Sequence, residues 1–507
     1  MASPFYVTTP LYYPNAAPHI GSTYTTVCAD TFMRYHRAAG EETLFLTGTD
    51  EYGEKMVESA AAEGLEPKQF VDRMAARFQE VWGEIGIQYD RFIRTTDADH
   101  ERAVQHLWQT IYDRGEVEFR DYTGNYCVGC ERYLIERELE QGKCPQHQTE
   151  PEIRSESNYF FRMSAHFEWL ISQLENNPQL ITPDRYRNEV LSLLRSGALD
   201  DLCISRPRDR LDWGIPIPWD ESYVTYVWTD ALVNYLTGAG YPDEPAWEER
   251  WSGVHHLIGK DILKAHAIFW PTMLHAAGIP LYQALHVHGY WNMDNVKISK
   301  SLGNLVDPLI MKEKYGFEAF RYYLLREMSF GLDTDFAEAG LVQRVNADLA
   351  NDLGNLLNRS VSMLGRYFDG VVPAHEGESP LREAAERVTG DVDRHTRAFR
   401  TQRALAALWE LVGAANKYID SEAPWQLAKD PDQRERLATV MAEVLECVRV
   451  IAVLLESFLP HASARIIQSL GDTPNAGSLA ERLRWGQLVA GTQTRKIEVL
   501  FPRIEAT

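Results

Sequence analysis

The sequence predicts an α/β fold: a doubly wound parallel sheet of Rossmann type, split by an insertion with a zinc knuckle and followed by an all-α bundle. Short apolar runs such as 43–46, 223–228 and 284–288 are typical of buried strands, and amphipathic helices separate them. Beyond residue 304 the pattern is helical until a strand-like run at 496–501. We therefore expect two halves of a nucleotide-binding fold (1–117 and 212–290), an insertion (118–211), a linking region (291–340) and a helical domain (341–507).

Length and charge limit what the chain can be. Its 507 residues, 45% of them hydrophobic, are enough for two or three domains with buried cores. A net charge of −22 argues against a generally basic nucleic-acid binder, although an RNA partner needs only a local basic surface. No N-terminal segment resembles a signal peptide, and charged residues interrupt the longest apolar run, 444–459. We expect a soluble protein of the cytoplasm.

The first predicted strand and helix carry the first candidate site. Residues 5–9 are apolar and β-prone, and apolar residues then recur at helical spacing over 20–35. The helix starts with His19, Gly21 and Ser22, where free backbone N–H groups and the helix dipole attract phosphate oxygens. The same residues equally suit a polar helix start that uses serine as a cap.

A second stretch, 297–304, has two lysines in a loop rich in serine and glycine. Lys297 and Lys300 can follow charge on a triphosphate, and the neighbouring Ser299 and Ser301 leave the loop polar and small. We interpret this loop and the histidine-bearing helix start as complementary halves of one nucleotide site.

Two aspartates and one glycine follow predicted strands. Asp50 comes after the strand at 43–46, and Gly259 and Asp261 come after the strand at 254–258. Ligands of open parallel sheets bind beyond the carboxyl ends of the strands. Asp50 can hold an ammonium group there, and Asp261 can accept hydrogen bonds from ribose hydroxyls. Asp50 also suits the plainer role of a cap for the next helix.

The insertion contains a candidate zinc site. Two ligand pairs, each with two intervening residues, are separated by thirteen residues and comprise Cys127, Cys130, Cys144 and His147. Four protein ligands of this kind close a tetrahedral site and leave no position for water, so the zinc would be structural. The alternative is a set of reduced cysteines in a small β element.

Two apolar stripes are candidates for a substrate pocket. Trp228, Ala231 and Tyr235 share one helical face, and a second set recurs every four residues, namely Ile262, His266 and Trp270. Such stripes are by default core packing, and a histidine on one is more often a hydrogen-bonded core residue than a ligand-binding residue. Their place after predicted strands favours a pocket.

Two motifs carry a resemblance to a known family. The letters HIGS at 19–22 and KISKS at 297–301 resemble the HIGH and KMSKS motifs of class I aminoacyl-tRNA synthetases. The residues between and beyond them resemble methionyl-tRNA synthetase over essentially the whole chain. The resemblance implies a methionine–tRNA ligase: methionine and ATP form methionyl-adenylate and pyrophosphate, and the methionyl group then passes to initiator and elongator tRNA(Met). This chain departs from the family pattern at Ser22, because the family usually has a second histidine at this position.

The resemblance also implies roles for individual residues. The catalytic residues would be His19, Ser22, Lys297 and Lys300, with Mg²⁺ on the leaving pyrophosphate. ATP would be bound by His19, Gly21, Ser22, Gly259, Asp261, Lys297, Ser299, Lys300 and Ser301. Methionine would be bound by Leu11, Tyr13, Asp50, Trp228, Ala231, Tyr235, Ile262, His266 and Trp270. One structural zinc would sit in the insertion, near the acceptor end of the tRNA.

The helical domain would bind the anticodon. The resemblance assigns this role to Asn351, Asn355 and Arg359 on its first helix and to Trp425. An exposed tryptophan beside a proline suits stacking with an unpaired base, whereas a tryptophan packed between helices is the plainer interpretation. The C-terminal tRNA-binding domain that some relatives carry is not found here, which favours a monomer. The alternatives are another class I synthetase or nucleotidyltransferase, and a non-catalytic tRNA-binding zinc protein.

Overall fold

The computed structural model describes residues 4–129, 132–134, 136, 139–145, 148–293, 296–298, 305–374, 378–471 and 477–505. The chain divides into two compact units. Unit 1 comprises Met1–Pro18 and Thr43–Gly289, and unit 2 comprises His19–Glu42 and Tyr290–Thr507. In the part of the chain that the structure describes, no helix is both long and apolar enough to cross a membrane.

The strands are β1 (Phe5–Thr8), β2 (Thr43–Thr49), β3 (Arg91–Arg94), β4 (Val117–Cys127), β5 (Arg132–Leu134), β6 (Glu152–Phe161), β7 (Ile181–Thr182), β8 (Leu202–Cys203), β9 (Ser205–Pro207), β10 (Pro216–Ile217), β11 (Asp220–Thr225), β12 (Val254–Gly259), β13 (Ala284–His288), β14 (Trp291–Met293), β15 (Val296–Lys297) and β16 (Thr334–Asp335).

The α-helices are α1 (Ile20–Ala38), α2 (Glu54–Ala62), α3 (Pro67–Glu84), α4 (Ala98–Asp113), α5 (Phe167–Asn176), α6 (Asp184–Arg195), α7 (Val227–Ala231), α8 (Asn234–Ala239), α9 (Trp247–Trp251), α10 (Trp270–Ala277), α11 (Pro308–Tyr315), α12 (Phe317–Glu327), α13 (Glu338–Arg344), α14 (Asn355–Phe368), α15 (Pro380–Arg397), α16 (Thr401–Glu422), α17 (Pro424–Leu427), α18 (Arg434–Leu455), α19 (Pro460–Ser469) and α20 (Leu479–Arg482). Short 3₁₀ segments are Met163–His166, Lys260–Ile262 and Pro431–Gln433, and π-helical segments are Ala265–Phe269 and Val345–Gly354.

Unit 1 is built on a six-stranded parallel sheet in the order β3-β2-β1-β12-β13-β7. The chain moves outward from β1 to β2 and β3, and then returns to add β12 and β13 on the other side of β1. The order therefore reverses between β1 and β12, which is where doubly wound sheets leave a crevice for ligands at the carboxyl ends. The predicted doubly wound sheet is confirmed.

The two edge strands of this sheet were not predicted. β3 begins and ends with arginine, and β7 has only two residues, so neither has the continuous apolar run of a buried central strand. The central strands β1, β12 and β13 are almost wholly buried, as their apolar runs indicated.

The prediction of a strand at 223–228 that ends beside the pocket was wrong. β11 ends at Thr225 and pairs antiparallel with β9 and β10 in a separate three-stranded sheet, and Trp228 lies on the short helix α7. Residues at the start of β11 are exposed while Val224 is buried, which is the pattern of a one-sided antiparallel strand. The insertion forms another antiparallel sheet, in the order β5-β4-β6-β8.

Unit 2 contains α1 and the helical region that follows residue 304. A buried ion pair helps to hold it together, because the Arg321 guanidinium on α12 lies 2.6 Å from the Asp30 carboxylate on α1. The Nε of Arg321 also donates to the carbonyl of Phe458 at 2.7 Å. The predicted all-α region is confirmed, apart from the small sheet of β14, β15 and β16.

Apolar periodicity predicts one long helix at 341–367 and another at 431–470, and both predictions in unit 2 need correction. The segment at 341–367 is helical throughout, but its middle, Val345–Gly354, has π-helical hydrogen bonding between α13 and α14. The segment at 431–470 is not one helix. It divides into α18 and α19 at Pro460, because proline has no N–H to continue the helical hydrogen bonds.

The predicted strand at 496–501 does not form. The carbonyls of Glu498, Val499 and Leu500 accept hydrogen bonds from the Arg465 guanidinium at 3.1–3.2 Å. An arginine side chain therefore satisfies these backbone groups in place of a neighbouring strand. The apolar alternation that suggested a strand leaves Val499 exposed.

Candidate functional site

Asp50 lies where the sequence placed it, at the carboxyl end of a parallel strand. It follows β2 directly and is buried. Its backbone N–H donates to the carbonyl of Tyr12 at 3.0 Å, and the N–H of Tyr12 donates to the carbonyl of Gly48 at 3.0 Å. The segment after β1 is thereby tied to the end of β2 and to the backbone of Asp50.

Most residues predicted to bind the substrate methionine belong to one hydrophobic cluster of unit 1 or pack against it. Tyr235 and Trp270 belong to its buried core, and their ring centroids are 6.1 Å apart. The His266 ring is also buried, with its centroid 5.7 Å from that of Tyr235. Ala231 is buried as well. The partly buried residues that pack against this cluster include Leu11, Tyr13, Trp228 and Ile262.

The hydrogen bonds of His266 fix its tautomer. Its Nδ1 lies 3.0 Å from the carbonyl oxygen of Ile262, which can only accept, so Nδ1 carries the proton. Its Nε2 lies 2.7 Å from the Tyr235 hydroxyl and therefore accepts the phenolic proton. Burial lowers the pKa of His266 to about 4, and burial raises the pKa of Tyr235. Both side chains are thus neutral at physiological pH.

His256 supports this pair and was missed by the sequence analysis. Its Nε2 accepts from the Trp270 indole N–H at 3.2 Å, so its Nδ1 is protonated and donates to the Thr8 hydroxyl at 2.8 Å. Its ring centroid is 4.2 Å from that of Tyr235. Burial lowers the pKa of His256 well below the ordinary value. A histidine within the apolar strand at 254–258 was the signal that could have revealed it.

The neutral state of His266 should make the stability of the protein depend on pH. Between its folded pKa of about 4 and the ordinary 6.5, the unfolded chain binds the proton more readily, so stability falls as pH falls through this window. The contribution lost at pH 5 should be about 2 kcal/mol. Urea unfolding at pH 7 and pH 5, compared between the original chain and a variant without this histidine, measures the contribution.

The variant His266→Gln should show a smaller loss of stability between these two pH values than the original chain. The matched control is His461→Gln, because His461 is an exposed histidine. If the two variants lost equal stability on acidification, His266 would titrate normally in the folded protein.

Gly259 ends β12, and Asp261 lies in the 3₁₀ segment after it. A Cβ at position 259 would approach the Asp261 Oδ1 to 2.7 Å, which is closer than a real side chain allows. Glycine at this position therefore leaves room for the Asp261 carboxylate beside the strand end. The Asp261 residue is exposed, as a group that binds a ribose must be.

The helix start at His19 has a different geometry from the predicted one. The sequence predicts His19 as the start of the helix, but His19 precedes α1 as its N-cap and has extended backbone angles. Its Nδ1 accepts from the N–H of Gly21 at 3.1 Å, and its remaining proton is therefore on Nε2. A Cβ on Gly21 would meet the imidazole at 3.0 Å, so glycine lets the ring fold over the helix start.

Ser22 closes the same helix start. Its hydroxyl accepts from the backbone N–H of His19 at 3.0 Å and lies 2.9 Å from the His19 carbonyl. Together with the backbone N–H of Ser22, which donates to the His19 side chain, the bond from the His19 N–H to the Ser22 hydroxyl makes a capping box. The plainer interpretation of Ser22 as a helix-start residue accounts for these bonds.

The lysine loop is described only in part. Val296–Lys297 forms β15, which pairs antiparallel with β14 in unit 2. Ser299, Lys300 and Ser301 lie outside the described residues. The predicted roles of Lys297, Ser299, Lys300 and Ser301 stay predictions.

The candidate zinc ligands are also described in part. Cys127 ends β4, and Cys144 lies after β5. Both are buried in one small cluster with Leu134, and neither forms a disulfide. Cys130 and His147 lie outside the described residues.

The predicted anticodon residues lie on three helical segments of unit 2. Trp425, on α17, is 38% exposed, and the Arg359 guanidinium lies 5.9 Å from its ring centroid. Arg359 also forms an ion pair with Asp420 at 2.7 Å. Asn355 begins α14 and is exposed. Both interpretations of Trp425, as a stacking residue and as a residue packed between helices, stay predictions.

Asn351, four residues before Asn355, is exposed on the π-helical segment. Its Oδ1 accepts from the Arg503 Nε at 3.1 Å. The amide oxygen is thereby occupied, and Asn351 presents its NH₂ group as a hydrogen-bond donor.

A parallel sheet with a carboxylate at its carboxyl edge, a histidine-capped helix start and a helical unit with an exposed tryptophan are the features expected of a class I aminoacyl-tRNA synthetase. Two family models agree. One, described as tRNA synthetases class I (M), matches residues 5–150 and 138–361. The other, described as the anticodon binding domain of methionyl tRNA ligase, matches residues 371–507.

Similar proteins identify the amino acid. The chain is 42% identical over 511 residues to a methionine–tRNA ligase of Caldanaerobacter subterraneus subsp. tengcongensis, covering 100% of this chain and 80% of the relative. It is 44% identical over 513 residues to one of Deinococcus radiodurans, covering 99% of this chain and 74% of the relative. The chain belongs to the methionyl-tRNA synthetase family.

A solved structure agrees over both units. The Mycobacterium tuberculosis methionyl-tRNA synthetase in complex with methionyl-adenylate is 39% identical, with a TM-score of 0.94, covering 99% of this chain and 100% of that one. The predicted family and the predicted ligase are therefore confirmed. A synthetase for another amino acid and a non-catalytic scaffold are not supported by these relatives.

Proposed function

We propose that the chain activates L-methionine with ATP and transfers the methionyl group to the 3′-terminal adenosine of tRNA(Met), both initiator and elongator. The observation that carries this proposal is the neutral Tyr235–His266 pair inside a buried aromatic cluster that also contains Trp270. The structure of the Mycobacterium tuberculosis relative, which holds methionyl-adenylate, supports the first step.

The pocket suits a thioether for two reasons. Its aromatic rings offer sulfur–aromatic contacts worth about 0.3–1.5 kcal/mol each. Its buried polar groups, Tyr235 and His266, satisfy one another, so an uncharged side chain can enter without leaving a buried charge unpaired. Asp50 would bind the ammonium group of the amino acid. The pocket would be lined by the predicted set Leu11, Tyr13, Trp228, Ala231, Tyr235, Ile262, His266 and Trp270.

ATP would be bound through its phosphates and its ribose. The Nε2–H of His19 is a donor for a phosphate oxygen, and the N–H groups at the start of α1 add to it. Ser22 would keep this helix start in shape through its two bonds to His19. Gly259 and Asp261 would face the ribose. Lys297, Ser299, Lys300 and Ser301 would bind the triphosphate, whose leaving pyrophosphate carries Mg²⁺.

The methionine carboxylate would attack the α-phosphorus, displacing pyrophosphate. No covalent enzyme intermediate and no general base are needed, because the attacking group is already an anion. The rate should therefore come from positioning and from donors and cations placed where negative charge develops.

Exchange of labelled pyrophosphate into ATP should depend on L-methionine, with leucine and isoleucine far behind. An apolar pocket discriminates by about 1–3 kcal/mol per methylene, so weak exchange with norleucine or homocysteine is expected. Each amino acid is offered separately to the purified protein. Equal exchange with leucine would contradict the assignment.

The insertion would hold one structural zinc through Cys127, Cys130, Cys144 and His147. The described pair fits such a site, because two buried thiols that form no disulfide lie in one small cluster. Thiolate and imidazole are the ligands that zinc prefers in closed structural sites. The zinc would hold this knuckle of the insertion in its folded form.

Purified protein should contain one zinc per chain, and Cys144→Ser should release it, because the folding of such knuckles is tied to their metal. The helical unit should remain folded, which unfolding followed by circular dichroism can check. The matched control is Cys447→Ser, a buried cysteine on α18. Protein prepared without chelator but free of zinc would contradict the proposal.

The tRNA anticodon would be bound by Asn351, Asn355, Arg359 and Trp425. Exposed amide groups, a guanidinium and an indole ring suit hydrogen bonding and stacking with unpaired bases. We further propose the domain boundaries predicted above, with the anticodon-binding domain at 341–507. We also propose a monomer that acts in the cytoplasm, which sedimentation and cell fractionation can test.

A further inference from the structure

Glu51, which follows Asp50, is a buried carboxylate to which the proposed reaction assigns no role. Its side chain is fully buried at the end of β2, although a carboxylate is rarely buried without a partner. Arg94, the last residue of β3, binds it through two parallel hydrogen bonds, Nε to Oε1 at 2.7 Å and Nη2 to Oε2 at 2.8 Å. Paired fork contacts of this kind define both position and orientation.

The remaining hydrogen-bonding positions of the Glu51 carboxylate are also filled. Thr49 donates to Oε1 at 2.7 Å, and Thr96 donates to Oε2 at 2.6 Å. On the far side, the Arg94 guanidinium contacts Asp72 on α3 at 2.6 Å. The carboxylate is therefore held by two neighbouring strands and, through Arg94, by a helix.

The backbone of Glu51 is fixed as firmly as its side chain. Its N–H donates to the Thr95 hydroxyl at 2.8 Å, and its carbonyl accepts from the Trp213 indole N–H at 2.7 Å. The residue before it, Asp50, is held by the N–H bond to the Tyr12 carbonyl. Asp50 is thus bounded on both sides by anchored peptide groups.

We infer that Glu51, with Arg94, is a positioning residue for the ammonium group of methionine. It touches no substrate. It fixes the peptide that carries Asp50, so that the Asp50 carboxylate stays where the ammonium binds. The inference rests on the proposed function, which gives Asp50 that contact. Loosening this peptide should weaken the binding of the amine while leaving the apolar pocket of Tyr235 and Trp270 intact.

The test is Glu51→Gln, which keeps the size of the side chain but places an amide against the Arg94 guanidinium. The KM for methionine in pyrophosphate exchange should rise about tenfold to a hundredfold, the loss expected when a hydrogen-bonded contact to a charged group is weakened. The value of kcat should change much less, because the ammonium contact is the same in the ground state and in the transition state.

The decisive readout uses 4-(methylthio)butanoic acid, which is methionine without its amino group, as a competitive inhibitor. Its inhibition constant should be unchanged within about twofold in Glu51→Gln, since it makes no ammonium contact. A rise equal to the rise in KM would overturn the inference, because the whole pocket would then have been disturbed.

Two further variants keep the test decisive if Glu51→Gln does not fold. Thr96→Val removes one hydrogen bond to Oε2 and should raise the KM in the same direction by a smaller factor. Arg77→Met is the matched control, because it breaks an exposed ion pair with Glu80 on the same helix as Asp72. An unchanged KM in Thr96→Val and Glu51→Gln overturns the inference, whereas absence of exchange in the original chain overturns the proposed function instead.

Discussion

Lys300→Ala should slow the formation of methionyl-adenylate about a hundredfold to a thousandfold, the loss typical of removing one preorganised group that stabilises developing charge. The ammonium group is proposed to act on the phosphates as pyrophosphate leaves. Methionine does not contact it, so methionine affinity should stay the same. Single-turnover kinetics gives the rate, and equilibrium binding followed by tryptophan fluorescence gives the dissociation constant for methionine.

The matched control for Lys300 is Lys314→Ala. Lys314 is a lysine of the same unit whose ammonium lies 2.8 Å from Glu338 in an exposed ion pair. Its removal should leave the rate unchanged, because exposed pairs contribute little. A weaker methionine affinity with an unchanged rate in Lys300→Ala would mean that the lysine loop is structural.

The parts of the fold that the sequence predicted well are those with local signals. Strands β1, β2, β12 and β13 have the apolar runs that are typical of buried parallel strands, and the positions of Asp50 and Gly259 follow from where those strands end. The amphipathic stripe of α3 likewise predicts its buried face at Phe70, Phe78 and Trp82.

Other features depend on partners that are distant in sequence. The run at 223–228 is as apolar as a central strand, and only the antiparallel pairing of β11 with β9 and β10 excludes it from the parallel sheet. The segment at 496–501 fails to form a strand because Arg465 occupies its carbonyls. Neither partner is visible in the local pattern.

The candidate site shows the same division. His266 and Tyr235 were predicted to line a pocket, but their mutual hydrogen bond depends on a π-helical turn at Ala265–Phe269 that side-chain periodicity does not encode. The partnership of Glu51 with Arg94 joins residues 43 positions apart. The sequence could have indicated this pairing only through Glu51 itself, an acidic residue without an assigned role beside a predicted strand end.

Trp425→Ala should separate the two half-reactions. Its indole is 38% exposed on a helix that starts directly after Ala423, whose φ of +44° turns the chain sharply out of α16. The Arg359 guanidinium lies 5.9 Å from the ring centroid and is itself held by Asp420. A ring that is both accessible and fixed is suited to stacking on an unpaired base of the anticodon.

A stacked base is worth about 1–3 kcal/mol, so tRNA charging by Trp425→Ala should fall about tenfold to a hundredfold, mostly through weaker tRNA binding. Methionine-dependent pyrophosphate exchange should be unchanged, because activation requires no tRNA contact. Val489→Ala, which shortens another exposed apolar side chain of the same unit, should alter neither reaction. If Trp425→Ala instead lowered the melting temperature and impaired exchange, the ring would be a packing residue, and the anticodon would be read by another surface of the helical unit.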